Sequence, residues 1–358
     1  MRLINQYIVR NVVYGILLVL SGLSLLLAFM YLIDNLGQLG KANFGILELI
    51  IFITLSLPKK LYELFPAIIL LGTTLGLSYL AAGSELTAMR AAGVSVGRIA
   101  LAAMKAGLVF IVLAVVLGEW VVPYSEGIAQ RGRAKALQIS FHDKYSGLWL
   151  KDRQSFINIG EVLPDRSLRN ISLYEFDHNR QLVQTLHGAS ARYENEGWIL
   201  QDVQLSRIAA EDHKIKKIKV KKQATLAWDT VLTPENLAVF TVRPEGMSAY
   251  NLYQYIDHLK QNMQRTGRFE LTFWNKVLMP LASFVMLMLA IPFVFSRDRA
   301  SGIGQRLFIG IVIALAFNFL NLVSGYTALL IGISPFFGAM LPIVLFSGFA
   351  VWLFVRAA

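Results

Sequence analysis

Few side chains here are placed for chemistry. Glu85, Arg90 and Arg98 stand in GSELTAMRAAGVSVGRI, residues 83–99, between two strongly apolar runs. Gly83, Ser84 and Glu85 read as a helix N-terminus, where an acidic side chain meets the positive end of the helix dipole. Spacing then puts Leu86, Met89 and Arg90 on one helical face. Ala88, Ala91, Ala92 and Gly93 are small enough for a partner to approach the backbone, with Glu85 and Arg90 available for charged contacts. The chemistry on offer is recognition, although a solvated turn between two helices accounts for these residues equally well.

Other ionisable groups within or near apolar runs are Lys105, Glu119 and Lys276, joined by the amides of Asn318 and Asn321. An ion-coupled carrier needs carboxylates near mid-span, and Glu119 falls instead at the outer end of its run, beside Trp120. His142, His178, His187, His213 and His258 are scattered without ligand spacing, so surface or structural roles are expected and no metal. With no cysteine there is no disulfide, thiol chemistry or cysteine metal site. The motifs G-x-x-x-x-G-K-[ST], G-x-S-x-G and H-E-x-x-H do not occur. No catalytic residue is therefore assigned, and the chain is not expected to hydrolyse ATP by the P-loop route.

The elements that position these groups are set by hydropathy. With 55% hydrophobic and 16% charged residues and a mean hydropathy of +0.53, the chain is too apolar for an average soluble domain. Runs of about 20 apolar residues, enough to cross about 30 Å of hydrocarbon, recur six times. They cover residues 12–33, 64–82, 99–122, 271–295, 307–330 and 336–355. The first is longer than a signal-peptide core and lacks a small-x-small cleavage site, so it reads as a retained span. Residues 47–57 are apolar but short, ending on Pro58, Lys59 and Lys60, and read as an interfacial or re-entrant helix. With six spans, one side collects Arg2, Arg10, Arg90, Arg98, Arg297, Arg299, Arg306 and Arg356 against only Glu85 and Asp298, which predicts that side, with both termini, to be cytoplasmic.

The polar block 123–268, between the third and fourth spans, is then extracytoplasmic, and it holds 21 of the 34 Lys and Arg. From Gly147 its apolar residues alternate with period two between turn-like DHNR and ENEG, which predicts about ten short strands in a sandwich or rolled sheet. HKIKKIKVKK, residues 213–222, reads as an edge strand protected by lysines, or as a surface attracting anionic groups. Residues 247–268 return to helical spacing, with Met247, Tyr250, Tyr253, Ile256, Leu259 and Met263 on the expected apolar face.

Four motifs in matching order, SELTAMRAAGVS after a span, GEWVVP closing the next, GLWLKD opening the β block and SPFFGAMLP entering the last span, resemble the LptF/LptG permeases of the lipopolysaccharide export ABC transporter. GEWVVP and GLWLKD are nearer the LptG branch; the LptF branch is the alternative. The resemblance covers essentially the whole chain. It implies an α-helical membrane protein with six transmembrane helices plus a periplasmic all-β, jellyroll-like domain. The implied division is residues 1–135 for the first three spans with a coupling helix near 84–98, 136–245 for the β domain, and 246–358 for a connecting helix and the last three spans.

The same resemblance implies an inner-membrane heterodimer with LptF, carried on an LptB dimer that binds ATP and magnesium, with no cofactor in this chain and no nucleic-acid partner. Residues 83–99 would be the coupling element, with Glu85 at the family's acidic docking position and Leu86, Met89 and Arg90 beside it. Because lipopolysaccharide carries acyl chains and phosphates, an apolar cavity with cations at its periplasmic mouth is expected. Phe29, Leu64 and Phe65 are candidate wall residues, with core packing the alternative for each; Lys41, Arg131, Arg133 and Lys135 are candidate phosphate contacts. Arg133, in GIAQRGRAKAL, matches a basic position of the family. Where some LptG proteins carry lysines late in the first span and after it, this chain has Tyr31, Gly37 and Gln38. The β domain would pass substrate to LptC and LptA by joining sheet edges. A membrane-anchored scaffold and a lipid-modifying enzyme are the rival classes.

Overall fold

The computed structural model describes residues 2–137, 148–152, 155–162, 167–177, 181–194, 197–211, 214–228, 230, 244–261, 265–295 and 302–357. His142, His178, His213, Met263, Arg297 and Arg299 lie outside them. The first half folds as α1 (Arg2–Leu36), α2 (Ile46–Glu63), α3 (Phe65–Ala82), α4 (Glu85–Ala91), α5 (Val96–Val116), a π-helical turn (Leu117–Val121) and α6 (Val122–Ala136). After the strands come a 3-10 turn (Pro244–Gly246), α7 (Ala249–Gln261), α8 (Gly267–Phe295), α9 (Ile303–Ile331) and α10 (Pro335–Ala357).

Six helical stretches are long and apolar enough to cross a membrane: Leu3–Leu36, Phe65–Ala82, Val96–Ala136, Gly267–Phe295, Ile303–Ile331 and Pro335–Arg356. They match the six expected runs. The third, α5 to α6, is 41 residues long, which at 1.5 Å per residue is about 60 Å, twice the hydrocarbon thickness. Its polar end, α6, must therefore project beyond the lipid. Helix α2 is not among the six. It continues past the expected end, through Pro58, because Lys59 does not face lipid: its Nζ lies 3.6 Å from the Glu126 carboxylate of α6, both side chains being buried.

Helix α3 is the hub of the bundle, the most buried span, whereas α1 is the least. The apolar residues of α1 that are fully buried, Ile8, Val12 and Ile16, recur as a stripe at the i, i+4 spacing of one helix face. That stripe meets α3 at glycines. A Cβ on Gly76 would lie 2.6 Å from the Asn11 carbonyl oxygen and 2.8 Å from Val12 Cα, and one on Gly15 would lie 2.7 Å from Gly76 N. Gly72 and Gly76 form a G-x-x-x-G pair that lets two backbones touch where lipid supplies no hydrophobic drive for association. One apolar cluster joins α1, α3, α4, α5 and α8; a second joins α3 and α8 to α9 and α10.

The β domain contributes β1 (Leu148–Asp152), β2 (Ser155–Val162), β3 (Leu168–Phe176), β4 (Leu182–Glu194), β5 (Gly197–Glu211) and β6 (Lys214–Trp228). Every strand pairs antiparallel with its sequence neighbour in the order β1-β2-β3-β4-β5-β6. Among the described residues six strands stand where about ten short ones were expected, β4 to β6 running 13 to 15 residues each, and the turn-like DHNR and ENEG fall between strands as expected. Alternation sends Ile157, Ile159, Ile171, Leu186, Leu200 and Trp198 into one buried face. Among the described residues β6 is an edge strand, and its Lys219, Lys221 and Lys222 are exposed. Helix α7 is shorter than the expected 247–268, and its buried face is Leu252, Tyr255, Ile256 and Leu259, not the tyrosines Tyr250 and Tyr253, which are exposed. The aliphatic i, i+4, i+7 stripe outcompetes the tyrosine stripe for the interior.

Replacing Gly76 by Val should separate α1 from α3 and cost about 2 kcal/mol or more. Gly22, with nothing within 4 Å of an added Cβ, should tolerate Ala. Thermal unfolding in detergent measures both; equal melting of Gly76→Val and Gly22→Ala would refute the close crossing.

Candidate functional site

Residues 83–99 do not form one helix. Helix α4 has seven residues, with Ser84 as N-cap in the left-handed region at φ 57°. It ends because Gly93 adopts φ 85°: Gly93 N–H donates to Arg90 O and Val94 N–H to Met89 O, both at 3.0 Å. This is a Schellman stop, which requires a residue without a Cβ penalty and adds a contact between Val94 and Met89. The expected helix near 84–98 is thus a short helix, a tight turn and the start of α5. Gly93, read as a small surface position, has a backbone role.

Leu86 is 4% exposed and packs with Val94 and Ile99 in the cluster shared by α1, α3 and α5, while Met89 is half-buried against it. Leu86 is therefore the buried root of α4, beneath the outer face. Thr87, Ala88, Arg90 and Ala91 are exposed, and Glu85 is half-exposed. The arrangement presents a small-residue face with one cation and one anion, fastened underneath by aliphatic packing.

The second candidate set lies where the α1–α2 loop docks on the end of α6. Asn43 N–H donates to Ala136 O at 2.9 Å, and Phe44 is buried with Leu49, Ile53 and Ala136. Gly45 N–H donates to the Glu48 carboxylate at 3.0 Å, closing the start of α2. Lys41 and Lys135 thus flank one backbone contact, and both are exposed, as is Arg131. Arg133 is half-buried: its Nε donates to Gln38 Oε1 at 3.1 Å, and its guanidinium lies 4.9 Å from the centre of the Phe52 ring. Gln38 and Phe52 were missed as partners of Arg133; nothing in their local spacing marks them, since the pairing spans 95 positions.

Of the candidate wall residues, Phe29 is exposed on α1, and Leu64 is half-buried at the break between α2 and α3. Phe65 is 1% exposed in the main cluster. It serves internal packing, because as the first residue of α3 it turns toward Ile68 and Ile69 and away from any outer surface. A cavity of about 490 Å³ between α3, α8, α9 and α10 gathers Lys276, Asn275, Asn318 and Asn321. Asn318 Nδ2 is engaged with Ala314 O of its own helix at 3.0 Å.

Six apolar spans, a β domain inserted between the third and fourth, an exposed short helix between the second and third, and a basic end to α6 form one constellation. The family model for the lipopolysaccharide export system permease LptF/LptG matches residues 6–356. The chain belongs to the LptF/LptG family. It is 34% identical to the lipopolysaccharide export system permease protein LptG of Haemophilus influenzae, over 99% of this chain and 98% of that protein. It is 33% identical to LptG of Escherichia coli K12, over the same shares. These relatives carry the LptG name, so the paralogous LptF reading gains no support. Family membership makes the chain a multi-pass inner-membrane permease.

Leu86→Ala should loosen α4 by about 2 to 4 kcal/mol, whereas Arg90→Ala, at an exposed position, should change stability by no more than about 0.5 kcal/mol. Chymotryptic nicking near Met89 in the purified protein should accelerate for the first variant only; equal rates would contradict the anchoring role of Leu86.

Proposed function

We propose that this chain is the LptG-type permease subunit of the ABC transporter that extracts lipopolysaccharide from the inner membrane and passes it to a periplasmic bridge. LptF is the proposed second permease subunit, and an LptB dimer binds ATP and magnesium and hydrolyses the nucleotide. The observation that carries the reading is α4: an exposed face of Thr87, Ala88, Arg90 and Ala91 with Glu85 at its start, rooted by Leu86 in the cluster that also holds side chains of α1, α3, α5 and α8. Force applied to that face reaches α1, α3, α5 and α8 through close-packed side chains, which transmit displacement because interiors compress little. Glu85 and Arg90 are the proposed charged contacts, with Met89 bracing them.

Arg2, Arg10, Arg90, Arg98, Arg306 and Arg356 support a cytoplasmic location for both termini and α4, and hence a periplasmic β domain. The proposed domain limits, residues 1–135, 136–245 and 246–358, are supported by the end of α6 at Ala136 and the 3-10 turn beginning at Pro244. The loop and α6 end carrying Lys41, Arg131, Arg133 and Lys135 would then meet substrate phosphates as charge-assisted pairs, with Gln38 and Phe52 holding the Arg133 side chain. Phe29 and Leu64 are proposed at the apolar wall. An edge strand of the β domain would receive LptC and LptA by β-augmentation.

Co-purification with LptB and LptF, followed by ATP-driven lipopolysaccharide release from proteoliposomes containing LptC and LptA, tests the assignment. Glu85→Lys should abolish LptB capture or release while the protein stays inserted. Lys41→Glu with Lys135→Glu should leave LptB capture intact and lower release by about tenfold, the effect of losing about 1.4 kcal/mol of charge-assisted contact. Wild type that neither captures LptB nor supports release would refute the permease reading and favour a scaffold.

A further inference from the structure

The motif GEWVVP, residues 118–123, closes the third span with a defect that the rest of the chain repairs. In the π-helical turn Leu117–Val121, Val122 N–H reaches back five residues to Leu117 O. The next donor in that series, to the Gly118 carbonyl, would be residue 123, and Pro123 has no N–H. A carbonyl left without a donor in an apolar bundle is costly. Lys276, from α8, supplies it: the buried ammonium donates to Gly118 O at 3.0 Å.

The same ammonium donates to Met247 O, on the segment that returns from the β domain. It also lies 5.4 Å from the centre of the Tyr62 ring. That ring covers Gly118 so closely that a Cβ there would stand 2.6 Å from Tyr62 Cζ. One residue on, both carboxylate oxygens of Glu119 accept from Ala249 N–H at 3.1 Å, capping the start of α7. The chain leaves for the β domain through α6 and returns through Pro244–Gly246 and α7. Both segments are thus fastened to each other and to α8 at one point.

We propose that Lys276 is a positioning residue that ties the outgoing and returning segments of the β domain's neck into one rigid unit, so that displacement of the third span is delivered to the β domain. This rests on the permease reading above, since the displacement is the one ATP hydrolysis would drive. Glu119 is the second tie, and Pro123 is the residue that leaves the Gly118 carbonyl for Lys276 to take.

The test compares wild type with Lys276→Met, Lys276→Arg and Pro123→Ala in the assembled transporter. Lys276→Met should assemble and hydrolyse ATP within about twofold of wild type while releasing about tenfold less lipopolysaccharide per ATP, the factor expected for a lost charged hydrogen bond. Lys276→Arg, which keeps the donors, should restore most of the ratio. Pro123→Ala keeps Lys276 and its bond to Met247 O but offers Gly118 O a competing backbone donor, so it should weaken the tie and lower the ratio even if Lys276→Met fails to fold. Amide hydrogen exchange of residues 247–252 needs no substrate and should quicken about tenfold in Lys276→Met or Pro123→Ala. Unchanged exchange, or a release-per-ATP ratio that stays at the wild-type value, overturns the proposal. Quickened exchange in a transporter whose wild type releases nothing upholds the tie and overturns the permease reading instead.

Discussion

Hydrocarbon offers no hydrogen bonds, so every backbone polar group inside this bundle has to be met by the chain itself. Regular helices meet the demand locally, and most of the spans do so without help. The exceptions identify where the fold is held. Ser324 of α9 donates to Gly338 O of α10 at 2.8 Å, beside a glycine whose added Cβ would stand 3.0 Å from Ser324 O. The Gly118 carbonyl is the deeper case, because its repair draws in a lysine more than 150 positions away. Sequence-distant parts of the chain become neighbours through such repairs, and the attachment of the β domain's neck depends on one of them.

Packing divides the bundle unequally around that constraint. Helices α3 and α8 belong to both apolar clusters, whereas α4 and α5 belong only to the first, with α1. Helix α5 begins beside α4, runs through the π turn and continues as α6 to the loop bearing Lys41. A continuous helical rod of 41 residues therefore joins the exposed short helix to the basic cluster and to the β domain's neck. The π turn is the irregular point along it, and Lys276, Tyr62 and Glu119 are gathered there. A rod with one pinned irregularity can pivot where it is pinned; a regular helix of that length would flex along its whole span.

What the sequence made legible follows the strength of each physical signal. The six spans were readable because twenty apolar residues have few other stable uses, and the β domain because alternation with period two is incompatible with a helix. The face of α7 is legible in part: Met247, Ile256 and Leu259 are buried as their spacing predicts, whereas packing against Phe269 and Phe273 selects Leu252 and Tyr255 over Tyr250 and Tyr253. The length of α4 was overestimated although Gly93 stood in plain view, since a glycine among alanines reads as another small residue until its φ is known. For Phe65 the two readings, cavity wall and core, are equally open in the sequence, and burial favours the core for it as for Leu86; apolar side chains carry no mark of which neighbour they will meet. Gly72 and Gly76 had a recognisable spacing that hydropathy alone conceals.

A buried lysine is an expensive way to satisfy one carbonyl. Moving a cation out of water costs several kcal/mol before its partners are counted, and an apolar side chain of similar volume over an uninterrupted helix often serves stability as well or better. Pro123 and Lys276 together therefore make poor sense as stabilising features. They make better sense as a geometric specification: a directional charged contact fixes where three segments meet, whereas aliphatic packing would let them slide. Glu119 follows the same logic, since a neutral cap would satisfy the Ala249 amide, yet the carboxylate also places an anion near the lysine. The junction gives up stability for position, which is the exchange expected where a membrane-embedded helix has to hand a displacement to a domain outside the lipid.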